Sequence, residues 1–420
     1  MKNIIIRSIT LCLFGFILMA GQVYAQQGVI TINGKITNLA NNRPIRQASV
    51  TIAGKGVGTS TNSSGMFVLL IPQGNLTDSL KISCIGYNTK KIAISGINNN
   101  ATLNIALEKG STTLQEVTVT YYDVDKIMKK AIGRIPENYI SKPHILRGFY
   151  RMYTSNDKAP LQLSEAVFDV YNYGYGDTHA DIFKLIKARS EKNDRDFATL
   201  EFGQKPNSIF EQDVINHLNA CDLLNEKGLA NHEFHVNGIV DMKGYKAYEV
   251  EFKEKPNVID DNTFRGTMYI DTKTSAFIYF DFGFSPSTLA TIGIATYAKR
   301  SLMRLGGTTV QLMSDHTKVG YQEVGNKWVL SDVEGDNSIS IKSQALDYDY
   351  VAQIKFNYQI TAVDTNPEDE FSSKIGRNDN INAYKSNEDS KFWKDYNIIL
   401  SDYNVDDVFK DIKAINKSVK

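Results

Sequence analysis

Cysteine is scarce in this chain, and so are tryptophan and histidine. Three cysteines, two tryptophans and six histidines occur in 420 residues. Cys12 lies in an N-terminal apolar run, which leaves Cys84 and Cys221 for the rest of the protein. Two cysteines are too few for a disulfide scaffold or a structural zinc site. Cys84 shares an alternating apolar face in LKISCIGY, so we expect a small buried hydrophobe there rather than half of a disulfide.

An excess of charge of either sign is also missing. Lys plus Arg and Asp plus Glu both number 47, so the formal net charge is zero. A surface that binds nucleic acid or anionic lipid normally carries a basic field, which this composition does not supply. Apolar residues make up 42% and charged residues 22%, values typical of a globular protein. The length favours two or three domains, and we expect no nucleic-acid partner.

Long apolar runs are absent except near the N-terminus. Residues 1–25 have the three parts of a secretory signal: Lys2 and Arg7, an apolar run over residues 9–20, and Ala25 at a small-residue cleavage site. The apolar run, about 12 residues long, is shorter than the roughly 20 residues that a membrane-spanning helix needs. We therefore predict a signal peptide at 1–25 and a mature chain without a transmembrane segment. Such a chain is exported to the periplasm, the outer membrane or the outside of the cell.

Residues 28–109 show short alternating strands separated by turn residues. Residues 29–36 and 48–53 alternate apolar and polar side chains, as half-buried strands do. A turn occupies 59–65, where Gly65 can take a positive φ. This spacing is typical of a small antiparallel sandwich.

The order of these pieces resembles the carboxypeptidase-like regulatory domain of exported Bacteroidota proteins. The turn at 61–67 matches that family's T-D-x-x-G-x-F pattern, with Asn62 where an acid is usual. Gly86 and Tyr87 match its G-Y bend. The resemblance implies an accessory sandwich of transthyretin-like or immunoglobulin-like fold, which mediates protein contacts and carries no peptidase chemistry. Residues 110–122 follow it as a linker or joining strand.

Residues 123–366 are predicted to form a larger α+β domain. A helical stripe of apolar residues follows Asp123 and stops before Pro136. From Phe234 onward, alternating strands form a meander, so we expect an antiparallel sheet with flanking helices. The hairpin that begins at 266–271 looks like those of periplasmic lipoprotein carriers. That resemblance implies a half-barrel that holds acyl chains.

The C-terminal stretch, residues 367–420, is divided into a polar linker and a helical cap. We expect Phe392, Trp393 and Tyr396 to cover the sheet, and the apolar stripe over 405–415 predicts a closing amphipathic helix. The fold class that follows is mainly β or α+β. An N-terminal sandwich precedes a larger antiparallel-sheet domain with flanking helices.

No complete catalytic motif is found in the sequence. His232 and His235 are three residues apart where the helical zinc motif needs four, and a strand would point them to opposite faces. His217 and Cys221 could share a helical face, but no nucleophile motif supports a role for the thiol. Paired carboxylates for hydrolysis have no sequence signature, because the fold sets their spacing. We expect no metal, cofactor or catalytic residue, and a hydrolase with unplaced carboxylates stays the alternative.

Tyr171, Tyr173 and Tyr175 form the most distinctive local run, YNYGYG. On one strand face they would offer rings for a sugar or a partner, while the alternative is a twisted hairpin end with glycines in the turn.

The function we predict is an exported, non-enzymatic binding or assembly protein of the cell envelope. Its sandwich would contact envelope proteins, and its second domain would bind a lipophilic or glycan ligand. The alternative is a hydrolase of peptide or glycan.

Overall fold

The computed structural model describes residues 29–110, 122–197, 205–218, 221–256, 258, 263–293, 307–372, 374–384 and 390–418. The predicted signal at 1–25 and most of the predicted linker at 110–122 lie outside these residues. The described residues are mostly β, with 49% in strands and 16% in helices. The predicted fold class is confirmed, because small N-terminal sheets precede one large antiparallel sheet. In the part of the chain that is described, no helix is long and apolar enough to cross a bilayer.

The N-terminal sandwich contains two sheets. Its strands are β1 Val29–Asn38, β2 Ser49–Ile52, β3 Gly58–Ser60, β4 Met66–Pro72, β5 Ser79–Ser83, β6 Lys90–Ala93 and β7 Ala101–Leu107. One sheet has the order β4-β1-β7 and the other β3-β2-β5-β6. Alternate residues point between the sheets, so that Ile32, Val50 and Phe67 are fully buried in one core. Short 3₁₀ turns at Gln73–Asn75 and Ile94–Gly96 join neighbouring strands.

The second domain is built on an eleven-stranded sheet. Its strands are β8 His144–Ser155, β9 Pro160–Asn172, β10 Ile182–Lys192, β11 His232–Met242, β12 Tyr245–Glu254, β13 Phe264–Asp271, β14 Phe277–Phe284, β15 Thr308–Ser314, β16 Thr317–Val324, β17 Lys327–Ser343 and β18 Tyr348–Asp364. The hydrogen-bonded order is β10-β9-β8-β18-β17-β16-β14-β13-β12-β11, and β15 pairs with the far end of β17. Within the described residues the sheet is open, with β10 and β11 at the two ends of the strand order.

Short helices surround the sheet. They are α1 Val124–Gly133, α2 Ile135–Asn138, α3 Pro206–Phe210, α4 Glu226–Asn231, α5 Pro286–Thr291, α6 Ser390–Lys394 and α7 Val405–Lys417, with a 3₁₀ turn at Ile381–Tyr384. Asp123 caps α1, because its carboxylate accepts a hydrogen bond from the Lys126 N–H at 3.0 Å. Pro136 falls in the first turn of α2, where a missing N–H costs nothing.

The large sheet has an inner and an outer face. The inner face, with Leu146, Phe168 and Tyr358, packs into one core with α1 and with residues from 209–218 and 221–224. The outer face is covered in part by the C-terminal segment. Trp393 lies on Phe149 there, in a small cluster separate from the main core.

The sandwich contacts both the sheet and the C-terminal segment. The Gly325 N–H donates to the Gly54 carbonyl at 3.2 Å, which joins the β16–β17 turn to the sandwich. Lys81 Nζ donates to the Tyr245 hydroxyl at 3.3 Å at the start of β12. Gln47 donates from its side-chain amide to the Glu334 carboxylate on β17. The sandwich therefore packs against one end of the sheet and over part of its outer face.

Candidate functional site: a polar row and the cavity above it

A continuous row of polar residues crosses the outer face of the large sheet. Strand pairing places one residue from each of ten strands directly opposite its neighbour, in the order His235, Glu251, Thr267, Asp281, Lys318, Glu334, Asn357, Arg151, Glu165, Arg189. Residues directly opposite on adjacent strands lie on the same face of a sheet, with Cβ atoms about 5 Å apart. We call this set the polar row. With strands about 4.8 Å apart, it is roughly 40 Å long.

One end of the polar row is buried beneath the C-terminal segment. Glu165 accepts a hydrogen bond from Arg151 Nε at 2.6 Å on one oxygen and from Arg189 Nε at 2.6 Å on the other. Its side chain is fully buried, and that of Arg151 is 8% exposed. The Arg189 guanidinium lies 4.6 Å from the centre of the Trp393 ring. Each charge at this end therefore has a partner, as burial requires.

Residues 397–403 run between the sandwich and the sheet, and we call this junction the seam. Asn397 pairs with both backbone groups of Leu70, accepting from its N–H at 2.7 Å and donating to its carbonyl at 3.0 Å. The Ser63 N–H donates to the Asp402 carboxylate at 2.7 Å. From the sheet, Arg151 donates to the Ile399 carbonyl at 2.8 Å. The segment thus holds the two domains together through hydrogen bonds on both sides.

A cavity of about 280 Å³ lies in the seam, above the middle of the polar row. Its floor includes Lys318, Glu334 and Asn357 from three adjacent strands. The turn at 60–63 of the sandwich and residues 399–403 form its walls. Three separate parts of the chain therefore meet around one polar space. Pockets that bind small ligands commonly lie at such domain interfaces.

Glu334 is the titratable group of most interest in the seam cavity. Burial raises the pKa of this carboxyl to about 7, and the nearby negative charge of Asp332 acts in the same direction. Lys318 and Arg46 act in the opposite direction, although not strongly enough to cancel the burial. Glu334 therefore exchanges its proton near neutral pH, so that it can accept or donate hydrogen bonds according to pH.

A second, more open groove of about 480 Å³ lies over the other end of the polar row. Glu251, Thr267 and Asp281 belong both to its lining and to the row. His316 lines both this groove and the seam cavity, and its Nε2 lies 2.5 Å from a carboxylate oxygen of Asp281. The two spaces are therefore neighbours along one polar surface.

The three predicted tyrosines do not share one surface. The rings of Tyr171 and Tyr173 are in contact, with centroids 5.2 Å apart, and the Tyr173 hydroxyl donates to Glu370 at 2.6 Å. Tyr175 is 4% exposed, and its hydroxyl donates to the buried Asp213 at 3.2 Å. The strand ends at Asn172, and Gly174 takes a φ of +116°, which interrupts the alternation. A ligand role for Tyr171 and Tyr173 stays a prediction, whereas Tyr175 faces the core.

The histidines and cysteines singled out in the sequence are not arranged as a catalytic or metal site in the described part of the chain. His232 is 1% exposed, and its Nε2 accepts from the Phe264 N–H at 2.8 Å, while His235 is exposed on the polar row. Cys84 and Cys221 are both free thiols. Burial raises the pKa of the Cys221 thiol to about 12, which makes it a poor nucleophile. Within the described ranges, no group of three or more His, Cys, Asp or Glu side chains is arranged to hold a metal ion.

The inner face of the sheet is covered by aromatic side chains from the sheet itself and from α3. Phe168 stacks on Tyr358 with ring centroids 4.8 Å apart, and Phe210 packs edge-on to the same ring at 5.1 Å. Asp213 is 1% exposed and accepts a hydrogen bond from the Tyr321 hydroxyl at 2.7 Å, which ties its segment to β16. A lipophilic ligand on this face would have to displace these groups.

The polar row has no local signal in the sequence. Its members are single polar residues in alternating strands, and their neighbours along the chain are ordinary. Partners such as Asn357 and Arg151 are far apart in sequence, and only the strand order brings them together. A charged residue at an outward position is the normal pattern of a solvated sheet face. The alternation therefore predicts that a side chain is exposed, but it does not predict which residue of the adjacent strand lies beside it.

The fold and the site together define a mainly β protein in which a small N-terminal sandwich is joined to a large open sheet. The family of the CarboxypepD_reg-like domain matches residues 32–119 of the chain, which supports the predicted identity of the sandwich. No curated protein matches the chain.

Among solved structures, the chain has weak likenesses. A DUF1329 family protein from Desulfovibrio piger is 9% identical, with a TM-score of 0.23 over 57% of this chain and 92% of that one. A LolA superfamily protein from Nitrosomonas europaea is 8% identical, with a TM-score of 0.23 over 57% of this chain and 94% of that one. The MucA/MucB complex of Pseudomonas aeruginosa gives 7% identity and a TM-score of 0.17 over 59% of this chain and 100% of that one. With such TM-scores, these likenesses do not define a common fold.

Proposed function

We propose that this protein is a non-enzymatic binding protein of the cell envelope that takes its ligand or partner into the seam between the sandwich and the sheet. The observation that carries the proposal is the seam cavity of about 280 Å³, which three parts of the chain build together. The secretory character of residues 1–25 supports the envelope location.

The chemistry of the two faces supports a polar ligand rather than a lipid. The outer face offers charged and amide groups in the cavity, whereas the inner face is closed by packed rings such as Phe168 and Tyr358. An acyl chain gains little from charged walls, because its burial must remove apolar surface from water. A polar ligand can instead replace the water of the cavity by direct hydrogen bonds.

Site-specific photo-crosslinking in cells tests this proposal. A photoreactive residue replaces Ser63, which lines the seam cavity, and a matched variant carries it at Lys342, which is exposed on β17. We expect a specific adduct from position 63 in the envelope fraction and none from position 342. Equal adducts from both positions, or none from either, would contradict the proposal.

A hydrolase is the second candidate, and Glu334 is the observation that favours it. A carboxyl with a pKa of about 7 in a cavity is suited to act as a general acid. Turnover of aryl glycosides or peptide substrates that disappears in Glu334→Gln would establish this function. Turnover that is absent from the native protein leaves the binding function as the better account.

A further inference from the structure

We propose that the seam cavity binds a short uncharged saccharide. This inference rests on the proposed function, because it names the ligand class of the same cavity. The size of the space gives the first argument. At about 280 Å³ it is close to the lower limit of about 300 Å³ for pockets that enclose drug-sized ligands. A folded partner does not fit inside it, and a small ligand does.

The floor of the cavity supplies alternating donors and acceptors. Lys318, Glu334 and Asn357 stand directly opposite one another on adjacent strands, at a spacing of about 5 Å. An ammonium donates only, a carboxylate accepts, and an amide does both. Neighbouring hydroxyl groups of a sugar each donate and accept hydrogen bonds, so they can pair with all three of these groups. Opposite charges in the floor also partly compensate each other, so a strongly ionic ligand gains less there.

Unused hydrogen-bonding capacity and aromatic rings occur at the same place. Asn357 lines the cavity, and its side-chain oxygen is buried and has no hydrogen-bond partner among the described residues. Tyr153 and Tyr403 both line the cavity, with ring centroids 4.7 Å apart. Aromatic rings stack on the C–H faces of sugar rings while their hydroxyl groups stay hydrated.

A peptide strand fits the cavity less well. Strands β16, β17, β18 and β8 are each paired on both sides, so the floor has no free backbone edge to which a peptide could add. The backbone of a bound peptide could form hydrogen bonds only with side chains. The Ile399 carbonyl already does so, because it accepts its hydrogen bond from the Arg151 side chain. A saccharide needs no backbone edge.

Isothermal titration of the mature full-length protein tests the inference. The probes are maltose, cellobiose and N,N′-diacetylchitobiose, with triglycine and inorganic phosphate as comparison ligands. We expect at least one disaccharide to bind with a Kd of about 1 mM or tighter, and triglycine and phosphate to bind at least tenfold more weakly. Binding of triglycine or phosphate in preference to every disaccharide overturns the inference, and so does the absence of any disaccharide binding.

Two variants locate the binding. Lys318→Met and Asn357→Ala should each weaken disaccharide binding about tenfold, while the matched Lys342→Met, at an exposed lysine on β17, should leave it unchanged. Far-ultraviolet circular dichroism and Tm verify that each variant is folded. Unchanged affinity in both cavity variants overturns the inference. An adduct from position 63 combined with no disaccharide binding rejects the ligand class alone, whereas failure of both experiments rejects the proposed function as well.

Discussion

The two ends of the polar row both carry ionisable side chains, but these have different surroundings. At the covered end, Glu165 lies between Arg151 and Arg189 under the C-terminal segment, and its side chain is fully buried. At the open end, the Asp281 carboxylate is 38% exposed and its partner His316 is 48% exposed. The comparison teaches that one register line of a sheet can serve stability at one end and remain accessible to ligands at the other. The outcome at each end depends on whether another part of the chain covers the charged side chains, and not on the type of residue.

The largest effect is expected at the covered end. Glu165→Gln removes the charge that compensates Arg151 and Arg189, and the buried Arg151 guanidinium is left without a full counter-charge. Loss of one partner from a buried ion pair costs about 3–5 kcal/mol. Chemical denaturation should show a loss of about 4 kcal/mol in the free energy of unfolding. A loss below about 1 kcal/mol would mean that this end behaves like a surface pair.

The cover itself is tested by Trp393→Ala. Trp393 is 5% exposed and contacts Phe149 and the Arg189 guanidinium. Its removal leaves a cavity and exposes Arg189, so we expect a loss of about 3 kcal/mol. Tyr384→Ala, at an exposed tyrosine, is the control and should change the free energy of unfolding by less than about 0.5 kcal/mol. Similar losses in the two variants would show that the C-terminal segment does not cover the sheet.

The middle of the row should respond to pH through Glu334. Its pKa is raised to about 7 in the folded protein, so the folded state holds this proton more tightly than the unfolded chain does. Stability from this group is present at low pH and is lost as pH rises from the unfolded pKa of about 4.3 to about 7. After screening by solvent, the loss should be roughly 1–2 kcal/mol.

The Glu334→Gln variant has no titrating group at this position, so its stability should not fall in this way. As pH rises to 7, the native protein should therefore lose stability relative to the variant. Tm measured for both proteins at pH 5 and pH 8 checks this. A difference that is independent of pH would show that Glu334 titrates normally.

The smallest effect is expected at the open end. Asp281→Asn weakens its contact with His316, but both groups are solvated, and exposed pairs contribute about 0–1 kcal/mol. The free energy of unfolding should therefore change by less than about 1 kcal/mol. A change as large as that of Glu165→Gln would remove the distinction between the two ends.

Local patterns predicted much of the architecture. The alternation over residues 29–36 and the turn at Gly65 predicted the sandwich, and the family match at 32–119 supports it. Helix α1 and its cap at Asp123 follow from local periodicity and capping chemistry. The tyrosine run shows the limit of this reasoning, because a single glycine at 174 turns Tyr175 away from Tyr173 and into the core.

The candidate site could not be predicted in the same way. Lys318, Glu334 and Asn357 each look like a solvated outward residue in its own strand. Their adjacency depends on strand order and register, which are set by pairings between distant parts of the chain. Glu334 also accepts a hydrogen bond from Gln47 of the sandwich, which lies nearly three hundred residues earlier in the chain.

The sequence by itself determined the nature of the sandwich, the strand-rich second domain and the amphipathic last helix, while the signal peptide at 1–25 stays a prediction. These features depend on periodicity, capping and composition, which act over a few residues. Only the tertiary structure decided that the outer-face residues align in one row, that the C-terminal segment buries one end of it, and that the sandwich forms a cavity over its middle. Those outcomes depend on register and on burial, because the cost of a charge is set by what covers it rather than by its neighbours along the chain.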